Sequence, residues 1–467
     1  MLLVSGSARA QSTPAAPPSV AVGDWKLTPL VEVRTRGEYR RDAPEMAGVD
    51  VPGNDTTRAR NAYGVLERSR LGLGADYAVD EGEHTVLRAQ VTLQDARAWG
   101  SPAPTAILGT DPGTASFGAY EAWIEARTTS ARPAYLRVGR QAITWGDGRL
   151  VSNADWSPVA RTLDAVRGHI SAGLFDVEAF AAILDTPHPL GPSLGDTSGP
   201  TSTGDQLYGA QLAASFDPLF RAELSLLARV TRDDSPTDAS QFALARSDGE
   251  TYVGSLRVFG RGHGWHYAVE GAYEIGRASQ LSDEAVAAYA AAGYVEKTLE
   301  DIRLEPTLRV EADYASGDAG GAKYGQFDPL LPDVHTLHGA MDVFAWSNTV
   351  QTSGRVSVAP WHGGTVSAEY RYAQLANAQG EWLDAYLVDI GRGRGGNVLG
   401  SEVDAWVTCR VFPPLEIVGG YSLLAMGDAA RGILAAVENE SVLKGTGTVV
   451  PATIAHFGYV QATLRIP

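Results

Sequence analysis

The chain has 467 residues, a formal charge of −17 and a single cysteine, Cys409, and its mean hydropathy is −0.12. One cysteine excludes an internal disulfide framework and a cysteine-built metal cluster, and no apolar run approaches the roughly 20 residues of a spanning helix. Neither fact bears on a membrane β-barrel, whose strands are short and apolar on one face only.

Taken in chain order, residues 1–10, "MLLVSGSARA", read as the remnant of a signal peptide, with "ARA" before Gln11 as its cleavage site. Residues 11–24 read as a flexible leader rich in Pro, Ser and Ala. From Trp25 to the end, residues 25–467, polar and apolar residues alternate in short runs with turn signals between them. That pattern gives each strand one apolar and one charged face. The first strands place Arg34, Arg36, Arg68, Arg70 and Arg88 on the charged side, and Val31, Val33, Leu71 and Leu73 on the other. Arg137 and Arg167 continue the basic set. Later strands carry Glu270, Glu274, Arg309, Glu311, Asp313, Glu369, Arg371, Glu402, Asp404 and Arg410. "DEAVAAYAAAGYVEK" has the composition of a helix, but the regular spacing around it favours a strand. Elsewhere no long helical stretch is expected.

The connections alternate in size. "DEGE", "TTSARP", "LFD", "FDPLF", "GRGHG", "EKTLEDIRLE", "APWHGG" and "FPPLE" are the short set. The long set is Arg41–Asn61, Gly100–Ser116, Trp145–Ala160, Asp185–Asp205, Arg232–Ser247, Arg277–Asp283, Ser316–Met341, Asn377–Val398 and Gly427–Pro451. Eight short turns and nine long loops join about 18 strands, the signature of an outer-membrane barrel with short periplasmic turns and long extracellular loops. A soluble sandwich or propeller is the competing fold, and it has no need of this alternation. A charge facing lipid at the midplane costs ~2–4 kcal/mol for Arg or Lys, so the charged faces are expected to line a water-filled lumen.

The signs segregate. Arginines dominate the first third of the strands and carboxylates the last half, which predicts a basic wall and a partly acidic wall facing each other across the pore. Inside a barrel most arginines pair with a carboxylate to stiffen the wall. The cluster Arg34, Arg36, Arg68 and Arg70, with few acids expected nearby, also reads as a ladder for solute carboxylates, which a guanidinium fork grips with two hydrogen bonds. Trp25, Tyr39, Trp99, Tyr120, Trp265, Tyr273, Tyr314 and Tyr459 are expected at the two membrane interfaces. No cofactor or metal is expected: "GRGRGG" lacks the strand and helix of a phosphate site, "GHGWH" lacks a third ligand, and the Asp-rich loops match no calcium pattern. No nucleophile, base and orienting acid can be assembled, so the chain reads as a non-enzyme.

"YLRVGRQAITWGDGRLVSNADWSPVARTLDAVR", Tyr135 to Arg167, resembles the alginate export porin family. The family's strand end, Gly-Asp-Gly loop, tryptophan and following strand start stand here as Leu136 to Gln141, Gly146 to Gly148, Trp156 and Arg161 to Asp164, with Leu163 where Phe is usual. "YASGD" with "FDPLLPDVHTLHG", and "LGSEVDAW" with "GYSLLAMGD", are two further blocks. The resemblance implies a monomeric 18-stranded barrel in a Gram-negative outer membrane that passively conducts uronate-containing polysaccharide through a basic pore gated by loops. It implies that Arg70, Arg137, Arg140, Arg149 and Arg161 line or neck the pore, and that Asp147, Asn153 and Asp164 shape the third outer loop. "FPPLE" is shorter than the plugging periplasmic turn of the founding type. The expected function is export of an anionic, uronate-type polysaccharide. The alternative is a general, organic-anion or sugar diffusion porin, and an outer-membrane enzyme is the third class. Anionic polysaccharide or small anions, outer-membrane lipid and periplasmic polysaccharide-assembly proteins are the expected partners; nucleic acid is not.

Overall fold

The computed structural model describes residues 19–44, 50–51, 54–58, 61–80, 84–100, 115–129, 132–184, 205–231, 249–277, 284–441 and 451–466. The signal-peptide reading and most of the leader lie outside these residues.

Eighteen long strands form the wall. They are β1 (Trp25–Arg41), β2 (Asn61–Ala78), β3 (Thr85–Gly100), β4 (Ala115–Thr128), β5 (Ala134–Gln141) and β6 (Leu163–Ala172). Next come β7 (Phe175–Ile183), β8 (Asp205–Asp217), β9 (Phe220–Thr231), β10 (Glu250–Gly262), β11 (Trp265–Arg277) and β12 (Ala285–Thr298). The last six are β13 (Thr307–Ala315), β14 (Thr349–Trp361), β15 (Gly364–Leu375), β16 (Val398–Phe412), β17 (Leu415–Met426) and β18 (Ile454–Ile466). Every strand pairs antiparallel with the next, and β18 closes on β1 from Val31↔Ile466 to Arg41↔His456. Closure leaves no edge, which lipid would otherwise confront with unpaired backbone. "DEAVAAYAAAGYVEK" is strand β12, as its spacing predicts.

Side-chain alternation sets the two faces. Leu71 is 64% exposed on the outside, while Arg68 at 0% is enclosed. Leu73, Val91, Ile124, Leu224, Val310 and Val460 continue the apolar exterior. β1 and β2 run 17 and 18 residues, beyond the roughly 9–11 that span a bilayer. Their long-loop ends therefore project past the lipid, and an outward Arg97–Asp95 pair lies near that rim on β3.

Two aromatic assignments change. Tyr120 points inward because the β3–β4 register slips between Thr92 and Leu93 and inverts its parity. Tyr459 lies opposite Glu38, on the inward face of β18, and is buried.

The lumen is also not wet along its whole length. Toward the long-loop rim the inward face turns apolar, with Leu66, Leu207, Leu227, Val253, Ala288 and Ala290 buried. The long loops fold back and pack there. Small alanines on β12 leave room for Phe327 and Trp346 from the loop between β13 and β14. The barrel is all-β as expected, but the last loop contains a 14-residue helix, α1 (Asp428–Ser441), where no long helical stretch is expected from the sequence. Ala429, Ala430, Ile433 and Leu434 bury one face of α1 in the cluster that includes Trp382, Phe344 and Phe457. Asp428 Oδ1 accepts from the backbone N–H of Ala429 at 2.9 Å and of Val398 at 3.1 Å, holding the helix start against β16.

Candidate functional site: a strap across the lumen

The third loop, residues 142–162, and the seventh, residues 316–348, spring from walls eight strands apart in an eighteen-stranded barrel, close to diametrically opposite. They meet inside. Val151 and Leu331 form a parallel bridge. The N–H of Ser152 donates to Leu331 O at 2.8 Å, that of Leu331 to Leu150 O at 3.0 Å, and that of Asp333 to Gly148 O at 2.8 Å. Gly148 makes the turn possible: its φ of +80° lies in the left-handed region that glycine enters without cost. Arg161, partly buried in the same loop, donates to Ser152 O at 3.0 Å and Pro332 O at 3.2 Å. Burial pushes its pKa down to about 10, which leaves it charged at neutral pH.

The third loop then grips both walls. On the basic side, Arg68 Nη1 lies 2.9 Å and Arg70 Nη1 3.1 Å from Asp155 Oδ1. Arg68 Nη2 donates to Asp155 Oδ2 at 3.2 Å. Arg34 donates to the carbonyls of Asp155, Trp156 and Ser157 at 2.5, 3.1 and 2.9 Å. Arg36 donates to Trp156 O at 2.9 Å and stacks 3.6 Å from the Trp156 ring. The other face of that indole lies 3.5 Å from His335, nearly parallel. Burial disfavours ionisation of Asp155, but Arg68, Arg70 and Arg34 outweigh it and hold its carboxyl well below the usual carboxylate range.

On the acidic side, Arg149 of the same loop is buried against Glu311 and reaches Asp313 at 3.0 Å. Asp147 takes Arg257 at 2.6 Å. Asn153 ties the loop to itself through Thr144, whose Oγ1 accepts from the Asn153 backbone N–H at 3.1 Å. The loop thus presents an acid to the basic wall and an arginine to the acidic wall, matching the transverse field on both sides.

The remaining predicted residues sit as follows. Arg88, 37% exposed, pairs with Asp76 at 2.8 Å near the short-turn rim, and Arg137 pairs with Glu125 at 2.7 Å. Arg167 pairs with Glu178 at 2.8 Å and Arg309 with Glu311 at 2.8 Å. Arg371 holds Glu369 at 2.6 Å and approaches Asp313 at 3.7 Å. Glu402 Oε1 accepts the backbone N–H of Met341 at 2.9 Å, with buried Asp404 two residues on. Arg410 is exposed at the short-turn end of β16.

Two expectations need correction. Arg140 does not line the lumen. It stands three residues from inward Arg137, so strand alternation turns it outward, opposite Ala122, where it pairs with Asp164 at 2.7 Å. The basic cluster is also not short of acids. Glu32 lies within reach of Arg68 and Arg70, and Arg36 pairs with Glu38 at 2.6 Å.

Sequence reasoning missed Asp155, Trp156, His335 and Asp342 as partners of the basic wall. Asp342 Oδ2 accepts from Trp156 Nε1 at 3.0 Å and lies 3.4 Å from Arg40. A loop residue 85 positions from its arginine gives no periodic signal. Arg40 was within reach of the strand pattern, two steps beyond Glu38 on the same face.

A closed, charge-lined, loop-constricted barrel of eighteen strands is the architecture of an outer-membrane porin. The family model for alginate export matches residues 31–443, and the chain belongs to that family. No curated protein matches the chain by sequence. Among solved structures, the chain is similar to Pseudomonas aeruginosa OccK9 (OpdG) with a TM-score of 0.56 at 12% identity, covering 94% of this chain and 98% of that one. The same coverage holds for P. aeruginosa OpdK with vanillate and for P. aeruginosa OccK2 (OpdF) in complex with glucuronate, each with a TM-score of 0.54 at 11% identity. At such identities the likeness is one of fold.

Proposed function

We propose that this protein is a passive outer-membrane conduit for carboxylated solutes, with an anionic uronate-type polysaccharide as its cargo and export as its direction. The observation that carries this reading is the Asp155 carboxylate, gripped by Arg68 and Arg70 with Arg34 behind them at 4.0 Å. The basic wall already holds a carboxylate by charge-assisted hydrogen bonds, the chemistry a uronate would use. Membership of the alginate export family supports the same cargo, and one neighbour in fold was solved with glucuronate.

Lumenal side chains are better solvated toward the short-turn rim, where Asp176 is 41% exposed. In this reading that rim is the periplasmic mouth, and a polymer entering there meets the Arg88–Arg137 region before the strap. The runner-up, diffusion of small organic anions, shares the basic wall and is favoured by the fold neighbours. Planar-bilayer recording separates the two. A polyuronate added at micromolar to millimolar concentration should block the current, and a neutral glucan of matching length should not. Free passage of small acids with no response to the polymer favours the runner-up.

A further inference from the structure

Three features of the basic wall belong together. Asp155 meets Arg68 and Arg70 as an incoming carboxylate would, yet it is supplied by a loop. Arg70 is only 7% exposed and its Nη2 has no hydrogen-bond partner, so the clasp keeps one donor in reserve. The Asp155 side chain is itself 19% exposed, so it is not sealed from solvent. The same loop stays fixed at its far end through Arg149 on Glu311 and Asp313.

We propose that Asp155 is a tethered stand-in for the solute carboxylate: the site that recognises cargo also latches the third loop, and cargo opens the latch by replacing Asp155 on Arg68 and Arg70. This rests on the carboxylate-conduit reading above. Arg149 and the Val151–Leu331 bridge keep the loop attached after release, so opening is a local swing of the segment between Ser152 and Arg161.

The latch has a consequence for selectivity. A tethered carboxylate competes at an effective concentration in the millimolar range for a flexible segment. A single uronate must match that on its own. A polyuronate places successive carboxylates near Arg34, Arg68, Arg70 and, toward the short-turn rim, Arg88 and Arg137 at once, and linked contacts can raise avidity by ~10²–10⁴. The latch therefore makes the pore respond to polymers and largely ignore monomeric acids. Linkage is reciprocal: whatever factor the latch takes from cargo affinity, bound cargo takes from latch stability.

The test is Asp155→Asn, which keeps size and removes charge, compared with wild type and Asp155→Glu in planar bilayers. The asparagine variant should show higher mean conductance, and glucuronate monomer should act at a concentration about tenfold lower or more, a change of ~1.4 kcal/mol. Asp155→Glu, which restores the charge, should hold conductance and glucuronate response nearer to wild type than Asp155→Asn does. A second measurement leaves the latch intact. In a Cys409→Ser background, Ser157→Cys lies buried beneath the clasp, and its labelling by a charged thiol reagent should quicken with polyuronate but not with neutral glucan. Unchanged labelling, or an Asp155→Asn channel with wild-type conductance and glucuronate response, overturns the latch while leaving the conduit reading standing. A wild-type channel that neither prefers anions nor responds to any carboxylate removes the conduit reading as well.

Discussion

Arg70 and Leu71 are adjacent in sequence and face opposite solvents. Leu71→Arg would put a guanidinium against hydrocarbon at a cost of ~2–4 kcal/mol near the midplane, and impaired assembly should appear as loss of heat-modifiable gel mobility. Arg70→Leu should assemble normally, because Glu32 keeps Arg68 and Arg465, the latter at 2.5 Å. Its effect should be a weaker anion preference. Equal loss of assembly in both variants would mean that the inward and outward faces of β2 are interchanged. At this scale the alternation of charged and apolar residues was readable, since each position on a strand has one neighbour class. The partners of Arg34 and Arg36 were not, because they are mostly backbone carbonyls of a distant loop. Tyr120 was misplaced for a different reason: one inserted residue in β4 is invisible to periodicity but flips a face.

The third and seventh loops act as one element. His338, in the seventh, is buried 4.0 Å from Asp313. Burial, with Arg149 and Arg371 nearby, depresses its pKa well below the imidazole value, and Glu311 only partly offsets this. A neutral docked histidine gives its full stability above ~6.5, the undocked pKa, and that stability falls by at most ~1.4 kcal/mol per unit as pH drops further. Asp155 has a window of the same sign at lower pH. Its depressed pKa makes its contribution complete above ~3.9 and lost only below that. Conductance should therefore rise as pH falls from 6.5 to 4.5, and His338→Gln should flatten the rise; a wild-type profile that stays flat would contradict this. Gly148→Val should loosen the same element, since a side chain at φ +80° costs ~1–2 kcal/mol and would press on Ser152. More frequent flickering in single-channel traces is the expected sign. The length of these loops was legible, but their destination was not. Glycine, proline and aspartate mark where a chain turns and say nothing of where it docks. Helix α1 did leave a signal that went unread, the apolar pairs Ala429–Ala430 and Ile433–Leu434 spaced by one helical turn.

For the whole molecule, lipid outside and solvent within explains an acidic chain that exposes dozens of large apolar side chains yet buries arginines and carboxylates. Strand number followed from counting short and long connections, because a closed antiparallel barrel has no other way to join neighbours. Segregation of charge into two walls followed from strand order alone. What neither count reveals is the strap, which converts a wide barrel into a narrow, two-signed passage. The reversal potential of the purified protein in a planar bilayer under a potassium chloride gradient bears on this most simply. Chloride should carry the larger share of the current in wild type, and that share should fall in Arg70→Leu. A cation-selective wild-type channel, or one whose selectivity ignores Arg70, would contradict conduction along the basic wall.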